Sequence, residues 1–141
     1  MEIQNRENDT FVSTDKLDRK WIDINIPCSA ACPALTDIPG YIQAIKDGDH
    51  KTAYRINRME NILPGILGRV CDRPCEPACR HGWDELGDPV SICFLKRAAA
   101  DYGMEPVNPK IKSNGKKICV IGAGPAGLTI ANDLALKGYQ V

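Results

Sequence analysis

The chain has 141 residues, enough for one ordinary domain or two small ones, and its hydrophobic (43%) and charged (26%) fractions exclude disordered, fibrous and collagenous classes. Eighteen basic side chains balance eighteen acidic ones, which removes any strongly charge-driven partner such as nucleic acid or an anionic membrane surface. No apolar run suits a signal peptide or a bilayer span, so the chain reads as cytoplasmic, and in a reducing compartment its seven cysteines point to metal or redox chemistry rather than disulfides.

Residues 1–20 are polar and lack periodicity, as expected of a flexible tail. A helical domain is expected over 21–104. Its first helix has Thr36 or Asp37 as a cap, Ile38, Tyr41, Ile42 and Ile45 on one face, and Gly48 as its stop. Asp49 can cap a second helix with a weaker stripe of Ala53, Tyr54 and Ile56, after which LPGILGRVC reads as irregular.

The segment CDRPCEPACRHG sets Cys71, Cys75 and Cys79 four apart with a proline in each gap. Pro74 and Pro77 lack an N–H and clash with a preceding helical turn, so a folded-back loop is expected, and such a loop can aim several sulfurs at one point. A third helix follows in DPVSICFLKRAAADYG, with Asp88 as cap, Pro89 in the first turn, Ile92, Leu95, Ala99 and Tyr102 at helical spacing, and Gly103 as the end. EPVNPKIKSNG (105–115) has the composition of a linker.

From 116 onward the pattern changes to an apolar run, a glycine turn and a helical repeat through Leu128, Ala131, Leu134 and Ala135, with Gly138 ending the helix. The turn satisfies G-x-G-x-x-G over Gly122, Ala123, Gly124, Pro125, Ala126 and Gly127, between strand and helix where a dinucleotide pyrophosphate would bind. The acidic residue that would hold the ribose is expected about 20 residues further on, past Val141, so the chain is read as part of a longer protein with an incomplete dinucleotide site. Cys119, inside the strand, is expected to be a small buried apolar residue.

The other six cysteines, Cys28, Cys32, Cys71, Cys75, Cys79 and Cys93, are the candidate metal ligands. Zinc would take Cys28 and Cys32 with a pair from Cys71 to Cys79, or His81 in place of one, and would give a stapled helical docking module without redox work. A third cysteine at the same interval and the prolines beside the thiols fit an iron–sulfur loop better. Arg69, Arg73, Arg80, Lys96 and Arg97 lie nearby in sequence and would favour the reduced state of an anionic cluster. Trp21, Trp83, His50 and His81 read as packing or surface residues.

The ordered set CxxxCP, GRVCxxPCExxCR, PVSIxxLKRxAAD, a linker and GAGPAG resembles the N-terminal half of the glutamate synthase small-subunit family, from about residue 27 onward. The same arrangement is found at the N-terminus of dihydropyrimidine dehydrogenase and in the large subunit of electron-bifurcating NADH-dependent ferredoxin:NADP oxidoreductase. The resemblance implies a mainly α chain: an α-helical ferredoxin-like domain holding [4Fe–4S] clusters, followed by the first βα unit of a Rossmann-type FAD domain, with NAD(P)H bound later in the full protein. It implies as partner the glutamate synthase large subunit or another electron-transfer protein.

Members of that family hold two clusters, and the first uses a C-x-x-C pair upstream of the match to Cys28. KWIDINIP supplies no such pair and leaves that cluster only Cys28 and Cys79. For the second cluster the resemblance implies Cys32, Cys71 and Cys75, with a fourth ligand near Lys96, whose ammonium cannot bind iron. Cys93, one turn earlier on the same helix face, or Cys79 is then the expected fourth thiolate.

Overall fold

The computed structural model describes residues 19–83, 86–106 and 110–141. The expected tail falls almost wholly outside the described residues, as do positions 107–109 of the expected linker. In chain order the helices are α1 (Arg19–Asn25), α2 (Pro27–Ala31), α3 (Ile38–Lys46), α4 (His50–Glu60), α5 (Pro64–Val70), α6 (Arg80–Trp83), α7 (Ile92–Gly103) and α8 (Pro125–Leu136). Among the described residues the only β pairing is one parallel bridge between Lys117 and Gln140.

Local chemistry sets the first helical pair. The Asp37 carboxylate accepts from the Gly40 N–H at 3.0 Å and starts α3. Asp49 does the same for the Thr52 N–H at 2.9 Å and starts α4. Between them Gly48 takes φ +79°, the left-handed turn that closes a helix at low cost for glycine.

Helix α7 is the hub, packing on α3, α4 and α5. Its Ile92, Cys93 and Ala99 meet Ile38, Tyr41 and Ala44 from α3 and Ala53 from α4 in one buried cluster that also takes in Cys32 and Cys75. The contact with α5 is close: a Cβ added at Gly68 would lie 2.8 Å from the Arg97 backbone nitrogen. That core is small and built partly from thiols, so what the thiols bind bears directly on stability.

Four expectations need correction. LPGILGRVC is not irregular: Pro64 occupies the first turn of α5, where its missing N–H costs nothing. Helix α7 begins at Ile92, not after Asp88, and Ser91 at its N-cap makes no side-chain cap bond. Tyr102 is exposed, its ring tilted against His50 with centroids 5.5 Å apart. Cys119 is exposed rather than buried, because its segment has no flanking strand among the described residues beyond the single bridge at Lys117.

Candidate metal centre

The six candidate cysteines come from four places in the chain. Cys28 is half-buried in α2 and Cys32 is the residue that ends that helix. Cys71 ends α5, half-buried. Cys75 sits in the turn over 74–78 and Cys79 just before α6, both buried. Cys93 is the second residue of α7 and is 1% exposed.

The expected folded-back loop is present, and it is shaped by the backbone. Arg73 adopts φ +62°, which reverses the chain between Cys71 and Cys75 and turns the Arg73 N–H onto the Cys71 sulfur at 3.4 Å.

The sulfurs act on one another in two sets. Burial pushes the Cys75 thiol up to about 12, with Cys93 and Cys32 adding to the shift and Lys96 opposing it. The Cys93 thiol is also raised, by burial first and then by the neighbouring Cys71, with which it shares a hydrogen bond; Lys96 again opposes. Cys28 forms the other set: burial raises it first, and the charge of Cys79 adds to this. Among the described residues, no group of three or more His, Cys, Asp or Glu side chains forms a single-ion site. A cubane makes a different demand, because each thiolate binds a separate iron and the sulfurs stand wider apart.

Cys32 behaves differently. Burial raises its thiol, yet the Thr36 hydroxyl and the Thr36 and Ala34 amides outweigh burial and leave it below the ordinary cysteine value. The Cys32 sulfur donates to Thr36 Oγ1 at 3.5 Å as a thiol, and the fully buried Thr36 can return the bond to a thiolate.

Sequence reading missed one residue here. Glu76 Oε1 accepts from the Cys93 N–H at 3.0 Å and so caps α7 from the cysteine loop, which explains why Ser91 is idle. No local signal reveals a cap that lies 17 residues away. Lys96, expected with the nearby arginines to favour the reduced state of a cluster it cannot itself ligate, is 5% exposed and, among the described residues, has no carboxylate partner. The groups it acts on are Cys32, Cys75 and Cys93. A cation beside three thiols fits a resident group of negative charge, as four thiolates around an iron–sulfur core would be.

The other residues near the thiols are otherwise engaged. Arg69 and Arg97 both bond Asp101, while Arg73 stands 5.1 Å over the Phe94 ring and 4.0 Å from Glu76. His81 Nδ1 lies 2.9 Å from the Asp88 carbonyl, and the Trp83 indole N–H donates to the Pro77 carbonyl.

Helices joined around thiols from a proline-bearing loop define a cysteine-rich, cluster-binding class. Residues 19–107 match the family described as dihydropyrimidine dehydrogenase domain II, 4Fe–4S cluster, and the chain belongs to that family. It is 41% identical over 143 residues to the beta subunit of NADP(+)-dependent formate dehydrogenase of Moorella thermoacetica, covering 84% of this chain and 20% of that protein. It is 46% identical over 118 residues to the beta subunit of NADPH-Fe(3+) oxidoreductase of Geobacter sulfurreducens, covering 80% and 17%. The small chain of NADPH glutamate synthase of Azospirillum brasilense is 34% identical over 121 residues, covering 81% and 25%. The chain thus spans about a quarter or less of the length of these relatives.

Proposed function

We propose that the helical unit, residues 21–104, carries one [4Fe–4S] cluster and relays single electrons in an NAD(P)H- and FAD-dependent oxidoreductase. The ligands in this reading are Cys32, Cys71, Cys75 and Cys93. Cys79 is set aside as fourth ligand because it interacts with Cys28, whereas Cys93 interacts with Cys71 and Cys75. With no cysteine in KWIDINIP, Cys28 and Cys79 remain a pair without a cluster of their own.

One observation carries the proposal: within the segment matched by a 4Fe–4S family, thiols from three separated segments share one buried core, with the little-exposed Lys96 on the helix that carries one of them. When bound, the cluster supplies one-electron storage. The protein's residues do the rest. Thr36 and the Arg73 N–H orient the Cys32 and Cys71 sulfurs, and Ile38, Tyr41 and Ile92 keep water from the interior.

Residues 105–115 are read as a connector, and from 116 onward the chain is read as the first βα unit of a Rossmann-type FAD domain. The support is the parallel pairing of Lys117 with Gln140, Gly122 at φ +114°, and Gly124 at the N-cap of α8. Gly127 packs against the Gly122 carbonyl so closely that a Cβ there would collide with it. The relatives are named as subunits and chains of NADP(H)-linked enzymes, which favours a flavin fed by NAD(P)H and a partner subunit that exchanges electrons with the cluster.

Anaerobic purification of the full-length protein tests this reading. It should contain about four irons and four sulfides per chain, absorb broadly near ~400 nm, and bleach on addition of NADPH. Zinc without sulfide would replace it with a stapled docking module.

A further inference from the structure

Among the described residues Lys96 is the one buried side chain with a formal charge. It projects from α7 one turn after Cys93, and its neighbours in charge are the thiols of Cys32, Cys75 and Cys93. Among the described residues no carboxylate pairs with it: Glu76 is taken by the Cys93 N–H and Arg73, and Asp101 by Arg69 and Arg97. The nearby arginines are half-exposed and more screened than Lys96, which is 5% exposed, so their pull on the centre is the weaker.

We infer that Lys96 is a positioning charge for electron uptake: it sets the reduction potential of the cluster, raising it by stabilising the more negative, reduced state. This rests on the cluster reading above. With four thiolate ligands the centre passes from a dianion to a trianion on accepting one electron from reduced flavin, and no bond forms or breaks. A fixed cation beside it stabilises the trianion more than the dianion.

The experiment compares full-length wild-type protein with Lys96→Met, which keeps the stem and removes the charge, and Lys96→Arg, which keeps the charge. Iron and sulfide are measured on each, and the midpoint potential is read by a redox titration followed by electron paramagnetic resonance. The expected result is a loaded Lys96→Met whose reduction is disfavoured by about tenfold, ~59 mV lower for a one-electron couple, with Lys96→Arg close to wild type. Failure of Lys96→Met to load while Lys96→Arg loads would also support a need for charge. An unchanged potential in loaded Lys96→Met would overturn the inference, as would Met and Arg variants altered alike, since shape rather than charge would then matter. Wild-type protein without iron and sulfide would overturn the cluster reading and this inference together.

Discussion

The Tyr41 hydroxyl donates to the Ile92 carbonyl at 3.1 Å across the interior, tying the middle of α3 to the first turn of α7. Tyr41 is fully buried, and its phenol is held above its ordinary value by burial first and then by Cys75, Cys93, Cys32 and Cys28. It therefore packs beside both sets of thiols while fixing the helix that carries Cys93. Replacing it with Phe keeps the ring and removes only the bond. The expected cost is about 1 kcal/mol, read as a thermal midpoint lower by about 4–8 °C for a domain of this size. A midpoint unchanged in Tyr41→Phe would show that the bond contributes nothing net.

The division of sulfurs into two sets predicts an unequal response to single Cys→Ser changes. Serine at 32, 71, 75 or 93 should remove most iron and sulfide from full-length protein. Serine at 28 or 79 should leave both at wild-type level. Cys93 is the decisive position, since its thiol shares a hydrogen bond with Cys71 and sits 1% exposed. Full cluster content in Cys93→Ser, with loss in Cys79→Ser, would exchange their roles.

The contact of α5 with α7 leaves no room at Gly68, where a Cβ would press on the Arg97 backbone, whereas one at Gly65 would meet the Ala100 Cβ at 3.3 Å. Backbone cannot swing aside as a side chain can. Gly68→Ala should cost about 1–3 kcal/mol through forced separation of the helices. Gly65→Ala should be near neutral, because the gain of about 1 kcal/mol in helix propensity offsets the tighter contact. Urea denaturation of the two variants checks the difference, and equal midpoints would refute it.

Asp101 and Glu105 fasten the ends of the bundle electrostatically. The Arg69 side chain, joined by Arg97, holds the Asp101 carboxyl below its ordinary value, and Lys51 with Arg55 does the same for Glu105. A depressed folded value means stability that is complete above the ordinary carboxylate range and lost as the pH falls through the depressed value. Both side chains are a third or so exposed, so the effect is small and screened by salt. Thermal midpoints of Asp101→Asn and Glu105→Gln should sit slightly below wild type at about pH 7 and converge with it only once the pH has fallen below the depressed values, where both carboxyls are protonated in the folded state as well. A gap that widens on acidification would contradict the assignment.

How much of this was legible beforehand follows from where each determinant lies. Asp37, Gly48 and Asp49 act on residues two to four away, so the α3–α4 hairpin could be read directly from local chemistry. Helix α5 was hidden because Gly65 and Gly68 argue locally against helix, while their reason for being there is the approach to α7 some thirty residues later. Pro64 was the overlooked sign, as a first-turn proline. The start of α7 was misplaced because its cap is Glu76, brought in by the fold of the cysteine loop. Thiol spacing showed that ligands were present, yet choosing between Cys79 and Cys93 needed three-dimensional neighbours that spacing does not contain.

The glycine turn gives a prediction independent of the thiols. Gly127 lies against the Gly122 carbonyl, so any side chain there must push the α8 N-terminus away from the turn, while Cβ atoms at Gly122 and Gly124 would meet nothing within 4 Å. If that N-terminus receives a pyrophosphate, as its place after an apolar run suggests, moving it separates the backbone N–H groups from the phosphate oxygens. Full-length Gly127→Ala should therefore retain its iron and sulfide and bind FAD at least about tenfold more weakly, consistent with losing one or more hydrogen bonds to a charged group. Flavin content after gel filtration and the flavin absorption band against total protein measure this. A variant with its flavin intact would show that this turn does not hold the cofactor.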